Sequence, residues 1–293
     1  MATTAHLPHT DTSAFDVRTL NLTDVDNLRL GWTARMQPEE MRRLLTIYPG
    51  RSVWIPQTLE FAAVGPWRHR DEIAYLVELS AVRHPESVVA AVEDRCVAAG
   101  DQLLLSVELE EVRRPVFYDR IGFDLLEEVV TYEFMGRARP APPARALRFV
   151  QIDPSDDAAR MALLALDHAA FPWLWWNSEL EFRAYGLMPG VELWFALDGD
   201  DIVAYLGMTS FPGWGHLDRI AVAPGRQGSG IGLTALHFAV QRLLRRGAKR
   251  IGLSTQTDNE RSRRLYQRFG FRRASSHDYR LYGRYLTSNL PEH

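Results

Sequence analysis

Apolar residues recur along this chain at two periods, and the switches between them predict a repeated order of strands and helices. The pattern is clearest in the second half. Leu147 to Ile152 predicts a strand, and Ser155 to Ala170 predicts a helix with a Leu/Met-rich face, capped by Ser155 or Asp156. Phe171-Pro-Trp-Leu-Trp-Trp176 interrupts it, and Ser178 to Tyr185 predicts a second helix. Val191 to Leu197 and Ile202 to Phe211 predict strands split by the hairpin signal Asp198-Gly-Asp-Asp201, and His216 to Val222 extends that meander. Leu233, Leu236, Val240 and Leu243 fall on one face of a helix from Gly230 to Arg246, with Gly247 placed to cap it. Arg250 to Thr255 predicts a strand, Asn259 to Arg268 a helix, and Phe271 to Leu281 a final strand.

The first half gives the same order more faintly. Strands are predicted near Val17 to Leu22, around Val53 and Phe61, and at Ile73 to Leu79, Gln102 to Glu108 and Leu125 to Phe134. Helices are predicted between Thr23 and Ile47, at Glu86 to Ala99 and at Pro115 to Arg120. Phe117-Tyr-Asp-Arg-Ile-Gly-Phe123 and Leu265-Tyr-Gln-Arg-Phe-Gly-Phe271 share Tyr, Arg, Gly and Phe at an offset of 148 residues, which reads as an internal duplication. Gly100 pairs with Gly247 at an offset of 147, but Val82 pairs with Val222 at 140, so the second copy carries about seven extra residues before its next helix. Between the copies, Gly136 to Arg145 holds three prolines and no large apolar residue, which suits a connector. The expected division is a domain at 1–138, a Pro-rich linker at 139–146 and a second domain at 147–293.

Composition narrows the function classes without choosing one. The chain has 293 residues, 46% apolar and 24% charged, enough for two ordinary globular cores. A net charge of −3 supplies no general field for nucleic acid or an anionic membrane, so neither is an expected partner and any anion must be bound locally. The single cysteine, Cys96, excludes an intramolecular disulfide and a Cys-based metal site, and no metal is expected. No apolar run reaches the roughly 18 residues of a membrane span, and Met1 to Asp16 lacks a signal-peptide core, so the expected location is cytoplasmic. The 34 basic residues include one lysine, Lys249; the arginines are scattered rather than clustered.

The seven extra residues are a glycine loop. Gln227-Gly-Ser-Gly-Ile-Gly232 lies between a strand ending at Val222 and a helix starting near Gly230. A helix start leaves amides unpaired at the positive end of its dipole, and glycines let the backbone approach a phosphate. A Walker loop would need Gly-Lys-Ser/Thr, and a dinucleotide fingerprint would need G-x-G-x-x-G; neither spacing is present. Val222-Ala-Pro-Gly-Arg-Gln-Gly-Ser-Gly-Ile-Gly232, followed by Asn259, Ser262, Leu265-Tyr266 and Phe269-Gly-Phe271, resembles the GCN5-related N-acetyltransferase (GNAT) superfamily. The likeness is specific at these two motifs and follows element order from about Leu147 to Leu286.

The resemblance implies an α/β (α+β) fold with two GNAT-like domains, each a mixed, mostly antiparallel sheet flanked by helices, the first of them degenerate. It implies acetyl-CoA as co-substrate. Its diphosphate would lie on Gln227, Gly228, Ser229, Gly230, Ile231 and Gly232, its pantetheine along the backbone of Ile220, Ala221 and Val222, with Asn259 and Ser262 alongside. Asn259 is equally suited to cap its own helix. Glu111 stands where the offset would place Asn259 in the first half, which also lacks the glycine loop, so that half is expected to bind no coenzyme A.

An acetyl thioester is attacked by a neutral amine, and an alkylammonium is neutral to only about one part in a thousand at pH 7, so a proton acceptor helps. His216 and Asp218 lie two apart on one strand, eleven and nine residues before Gln227, similar to the two strand histidines of arylalkylamine acetyltransferases. An imidazole ordinarily titrates near 6.5, which favours His216 as base and Asp218 as the group that orients it or the ammonium. Tyr266, as a protonated phenol, is the expected acid for the departing thiolate. Trp175, Trp176 and Trp214 are candidates to line an acceptor pocket. The expected function is acetyl-CoA-dependent N-acetyl transfer to a primary amine of a small molecule, in a ternary complex. Alternatives are a mycothiol synthase-like tandem acetyltransferase and a non-catalytic acyl-CoA-binding sensor or scaffold.

Overall fold

The two alternating halves of the sequence join in one continuous sheet. The computed structural model describes residues 16–28, 30, 36–109, 115–136 and 143–288. The first half runs β1 (Arg18–Thr19), α1 (Pro38–Ile47), β2 (Val53–Ile55), β3 (Glu60–Trp67), β4 (Arg70–Ser80), α2 (Pro85–Ala99), β5 (Leu103–Leu109), α3 (Pro115–Arg120) and β6 (Asp124–Met135). The second runs β7 (Arg148–Gln151), α4 (Asp157–Ala170), α5 (Glu179–Gly186), β8 (Val191–Asp198), β9 (Asp201–Phe211), β10 (Trp214–Val222), α6 (Ile231–Arg245), β11 (Arg250–Gln256), α7 (Glu260–Phe269), β12 (Arg272–Arg273) and β13 (Tyr279–Tyr285).

Local chemistry sets the boundaries. Asp156, rather than Ser155, caps α4: its carboxylate accepts from the amides of Ala158 and Ala159 at 2.9 and 3.1 Å, while Ser155 bonds Asp153. Ser178 caps α5 through the amide of Glu181. Gly199, at φ +66°, turns the chain between β8 and β9.

Each half carries an antiparallel run that ends in a parallel pair, β4 with β5 and β10 with β11. The strand order is β1-β2-β3-β4-β5-β13-β6-β11-β10-β9-β8-β7. The last strand of each half has therefore crossed to the other half. β6 pairs with β11 from Val129↔Gln256 to Met135↔Arg250, and β13 pairs with β5 from Tyr279↔Leu109 to Tyr285↔Leu103. Apolar clusters are consequently shared, one of them joining Ile73, Leu103 and Val129 of the first half to Trp173, Trp175 and Leu281 of the second. The cores under α2 and under α6 and α7 are shared as well, the first taking in Tyr282 of β13 and the second Val130, Tyr132 and Phe134 of β6.

The predicted final strand, Phe271 to Leu281, is broken. Arg272–Arg273 pairs with β6, a 3-10 turn follows at Ser275–His277, and β13 begins only at Tyr279. Asp278 fixes the break by accepting from the Thr131 amide at 2.9 Å and pairing with Arg273 at 2.7 Å. Residues 139–142 of the expected linker lie outside the described residues, as does Glu111. The linker's described end, Ala144 and Arg145, donates both amides to the buried Thr234 hydroxyl on α6, at 3.1 and 3.0 Å. Among the described residues no helix is long and apolar enough to cross a membrane, and no cluster of three metal-ligating side chains occurs.

Candidate active site

The parallel pair β10/β11 is hydrogen-bonded from Trp214↔Arg250 to Leu217↔Leu253 and no further, so the strands fork beyond Leu217. A β-bulge coincides with the fork: Leu217 opposes Met208 and Arg219 opposes Gly207, leaving Asp218 as the extra residue. The bulge turns the Asp218 carboxylate onto its neighbour, where Oδ1 lies 2.8 Å from His216 Nδ1. Its Oδ2 accepts from the Tyr185 hydroxyl at 2.6 Å and from Thr209 Oγ1 at 2.7 Å. Asp218 is thus held from three sides, and His216 presents its other ring nitrogen away from it.

α6 begins directly after β10. Gly228 and Gly230 sit at φ +80° and +85°, backbone that favours glycine, and a Cβ on Gly230 would stand 2.9 Å from the Ala144 Cβ. The first amide to find a helical carbonyl is that of Thr234, which donates to Gly230 O at 3.2 Å. The loop is stiffened by its own side chains: Ser229 Oγ donates to Arg226 O at 2.6 Å, Gln227 Nε2 to Val222 O at 3.2 Å, and Arg226 pairs with Asp201 at 2.8 Å. Arg261 of α7 donates to Gln227 Oε1. The amides at the head of α6 can seat an anion such as a diphosphate.

A cavity of about 360 Å³ occupies the fork, and His216, Asp218, Ile220, Ser262 and Tyr266 all line it. Asn259, also in its wall, caps α7 by accepting from the Ser262 amide at 3.1 Å. Tyr266 is 4% exposed. Burial pushes its phenol up to about 12, partly offset by a hydrogen bond with Ser262, so it is a protonated donor throughout the neutral range. An adjoining cavity of about 350 Å³ shares His216 and Ser254 and is closed by Trp214 and Glu133. A larger cavity, about 560 Å³, lies among Glu108, Glu128, Arg273, Asp278 and Arg280 and is lined by none of the motif residues.

The tryptophans divide. Trp175 lines the fork cavity, and Trp214 stacks on Phe211 at 4.9 Å while walling the adjoining one. Trp176 reaches neither: its indole stacks on His168 at 4.4 Å and donates to Phe171 O at 2.7 Å, which makes it a packing residue. Several site residues carry no signal in the sequence. Tyr185 and Thr209, which hold Asp218, are ordinary helix and strand residues until the fold joins them. Arg68 and Val129 of the first half and Tyr279 of the exchanged strand also line the fork.

Residues 160–271 match the acetyltransferase (GNAT) family model. No curated protein sequence matches the chain. Among solved structures it is similar to a GCN5-related N-acetyltransferase from Sphaerobacter thermophilus, at 17% identity over 96% of this chain and 98% of that one, with a TM-score of 0.60. It is also similar to a tandem GNAT protein from the clavulanic acid biosynthesis pathway, at 12% identity over 94% of this chain and 100% of that one, TM-score 0.58. A GCN5-related N-acetyltransferase from Kribbella flavida gives 12% identity over 94% and 72%, TM-score 0.63. These likenesses extend the GNAT fold across both halves, and within the second half residues 160–271 form a domain that matches the GNAT acetyltransferase family.

Proposed function

We propose that the second half moves an acetyl group from acetyl-CoA to a primary amine of a small molecule, by direct attack in a ternary complex. The observation that carries this reading is the glycine turn at the head of α6, with Gly228 and Gly230 at positive φ, which follows directly on the strand whose fork holds a cavity lined by both Tyr266 and His216. The amides from Gln227 to Gly232 hold the diphosphate, and the β10 edge at Ile220, Ala221 and Val222, freed by the fork, takes the pantetheine amides. Acetyl-CoA supplies the acyl carbon as a thioester. His216, steadied by Asp218, accepts the proton that the ammonium must lose before its nitrogen attacks that carbon. Tyr266 donates its proton to sulfur as the C–S bond breaks, and the proton that the attacking nitrogen sheds on becoming the amide restores the phenol. No covalent enzyme intermediate is needed: Cys96 is buried in the first half's core, its thiol pushed up by burial and by Asp101.

The first half serves as scaffold. There the turn between β4 and α2 is filled from within: Glu60 Oε1 accepts from the amides of Val82 and Arg83 at 2.7 and 2.5 Å and of His84 at 3.2 Å. Burial alone would raise this carboxyl, but those amides and the Thr58 hydroxyl outweigh it and hold it below the usual carboxylate value. An internal carboxylate thus occupies the place of a ligand phosphate. Tyr118, the counterpart of Tyr266, bonds Glu108 and stacks on Tyr282 at 3.8 Å. The sequence division at 139–146 separates the halves along the chain, although their last strands are exchanged.

The direct test is a panel of primary amines assayed for acetyl-CoA-dependent thiol release. At least one is turned over; tight acetyl-CoA binding with no thiol release from any amine would favour a sensor instead. With the best amine, His216→Gln lowers kcat/KM by about 10²-fold at pH 7. The deficit narrows as pH rises toward the amine's own pKa, because the free base then needs no acceptor. A pH-independent deficit would remove His216 as base.

A further inference from the structure

The turn joining β3 to β4 carries Arg68 out of the first half and into the wall of the second half's cavity. Arg68 and His69 both sit at φ +52°, left-handed backbone that non-glycine residues adopt at a cost. The turn is clamped in place, since His69 Nδ1 meets Glu181 Oε2 of α5 at 2.7 Å and Trp67 Nε1 donates to Leu174 O at 2.9 Å. Such clamping fixes a side chain in one position.

The Arg68 guanidinium is poorly matched there. Nη1 donates to Asn177 Oδ1 at 2.7 Å, and the ring centroids of Trp67 and Trp175 lie 5.2 Å away on either count. Its Nε–H is buried with no acceptor, and no carboxylate pairs with it among the described residues. The nearby anions are committed elsewhere: Asp218 to His216, Tyr185 and Thr209, Glu181 to His69, and Asp167 to Arg219 at 2.5 Å. Burial, followed by repulsion from Arg219, brings the guanidinium down to about 10. Leaving a buried cation unpaired is costly, and an apolar side chain would fill the space without that cost. The fork therefore has a proton acceptor at one place and an uncompensated cation at another.

We propose that Arg68 receives a carboxylate of the acceptor, so that the substrate is an amino acid or a similar amine bearing a carboxylate, held with its amine at His216. The inference rests on the acetyl-transfer reading and narrows its substrate class. A carboxylate at Arg68 gains charge-assisted hydrogen bonds, and its absence leaves the buried Nε–H unmatched, so the site disfavours plain amines.

The test sets a series of amino acids against the amines that remain when the carboxylate is replaced by hydrogen, in the full chain with acetyl-CoA and thiol release as readout. Wild type prefers the carboxylated member of the best pair by about 10²-fold in kcat/KM. Arg68→Met erases that preference with the KM for acetyl-CoA unchanged, and Arg68→Lys keeps part of it. Arg68→Gln, which can still bond Asn177 without the charge, substitutes should the methionine variant fail to fold. A best acceptor without a carboxylate, or a preference that survives Arg68→Met, overturns the inference and leaves the transferase reading intact. Absence of thiol release with every amine overturns both.

Discussion

Tyr266→Phe lowers kcat by about 10²-fold or more while the affinity for acetyl-CoA stays near wild type. The ring is held independently of its hydroxyl, 6.2 Å from Tyr132 and 6.0 Å from Phe271 by ring centroids, so phenylalanine keeps the packing and loses only the proton donor. The sign of the pH dependence follows from burial. A phenol displaced upward to about 12 remains protonated well past pH 9, so no basic limb attributable to Tyr266 falls in the neutral range. Steady-state kinetics with the best amine checks this. Unchanged turnover removes the tyrosine from the reaction, and a matching rise in KM for acetyl-CoA reassigns it to binding.

Gly232→Glu weakens acetyl-CoA binding by about 10²-fold or more while leaving the melting temperature close to wild type. A Cβ at this position meets only ordinary contacts, Leu265 Cδ2 at 3.5 Å and Val222 Cγ2 at 3.7 Å, so the backbone accepts a side chain. That side chain emerges between the end of β10 and α7, and its carboxylate opposes the diphosphate at the head of α6. Gly230 makes a poorer probe, because its positive φ and the close Ala144 Cβ would mix strain with electrostatics. Calorimetry separates the outcomes: lost affinity in a folded chain fits the diphosphate seat, and full affinity places the coenzyme elsewhere.

The parts of the site legible in the sequence are those whose chemistry is local. Gln227 to Gly232 reads as an anion turn because strand, glycines and helix start are contiguous, and Asn259, Ser262 and Tyr266 share one helix. His216 and Asp218 are two residues apart, so a strand alone brings them near, and the bulge completes the contact. The exchange of β6 and β13 has no such signal, since an alternating strand satisfies its backbone against either neighbour. It moves Tyr279 and Val129 into the fork. Glu60 and Arg68 are hidden for another reason: a charge at a strand start or a hairpin tip is ordinarily solvated, and here the turn before α2 wraps Glu60 while the second half packs over Arg68. Trp176 shows the converse, an aromatic next to the cavity-lining Trp175 whose own ring is spent on His168.

One coenzyme seat per chain is expected, at the head of α6, because Glu60 fills the corresponding turn at the head of α2. Titrating acetyl-CoA into the purified full chain measures that directly. One molecule bound per chain, unaffected by Glu60→Gln and lost in Gly232→Glu, is the predicted result; two per chain, or binding that survives Gly232→Glu intact, contradicts it.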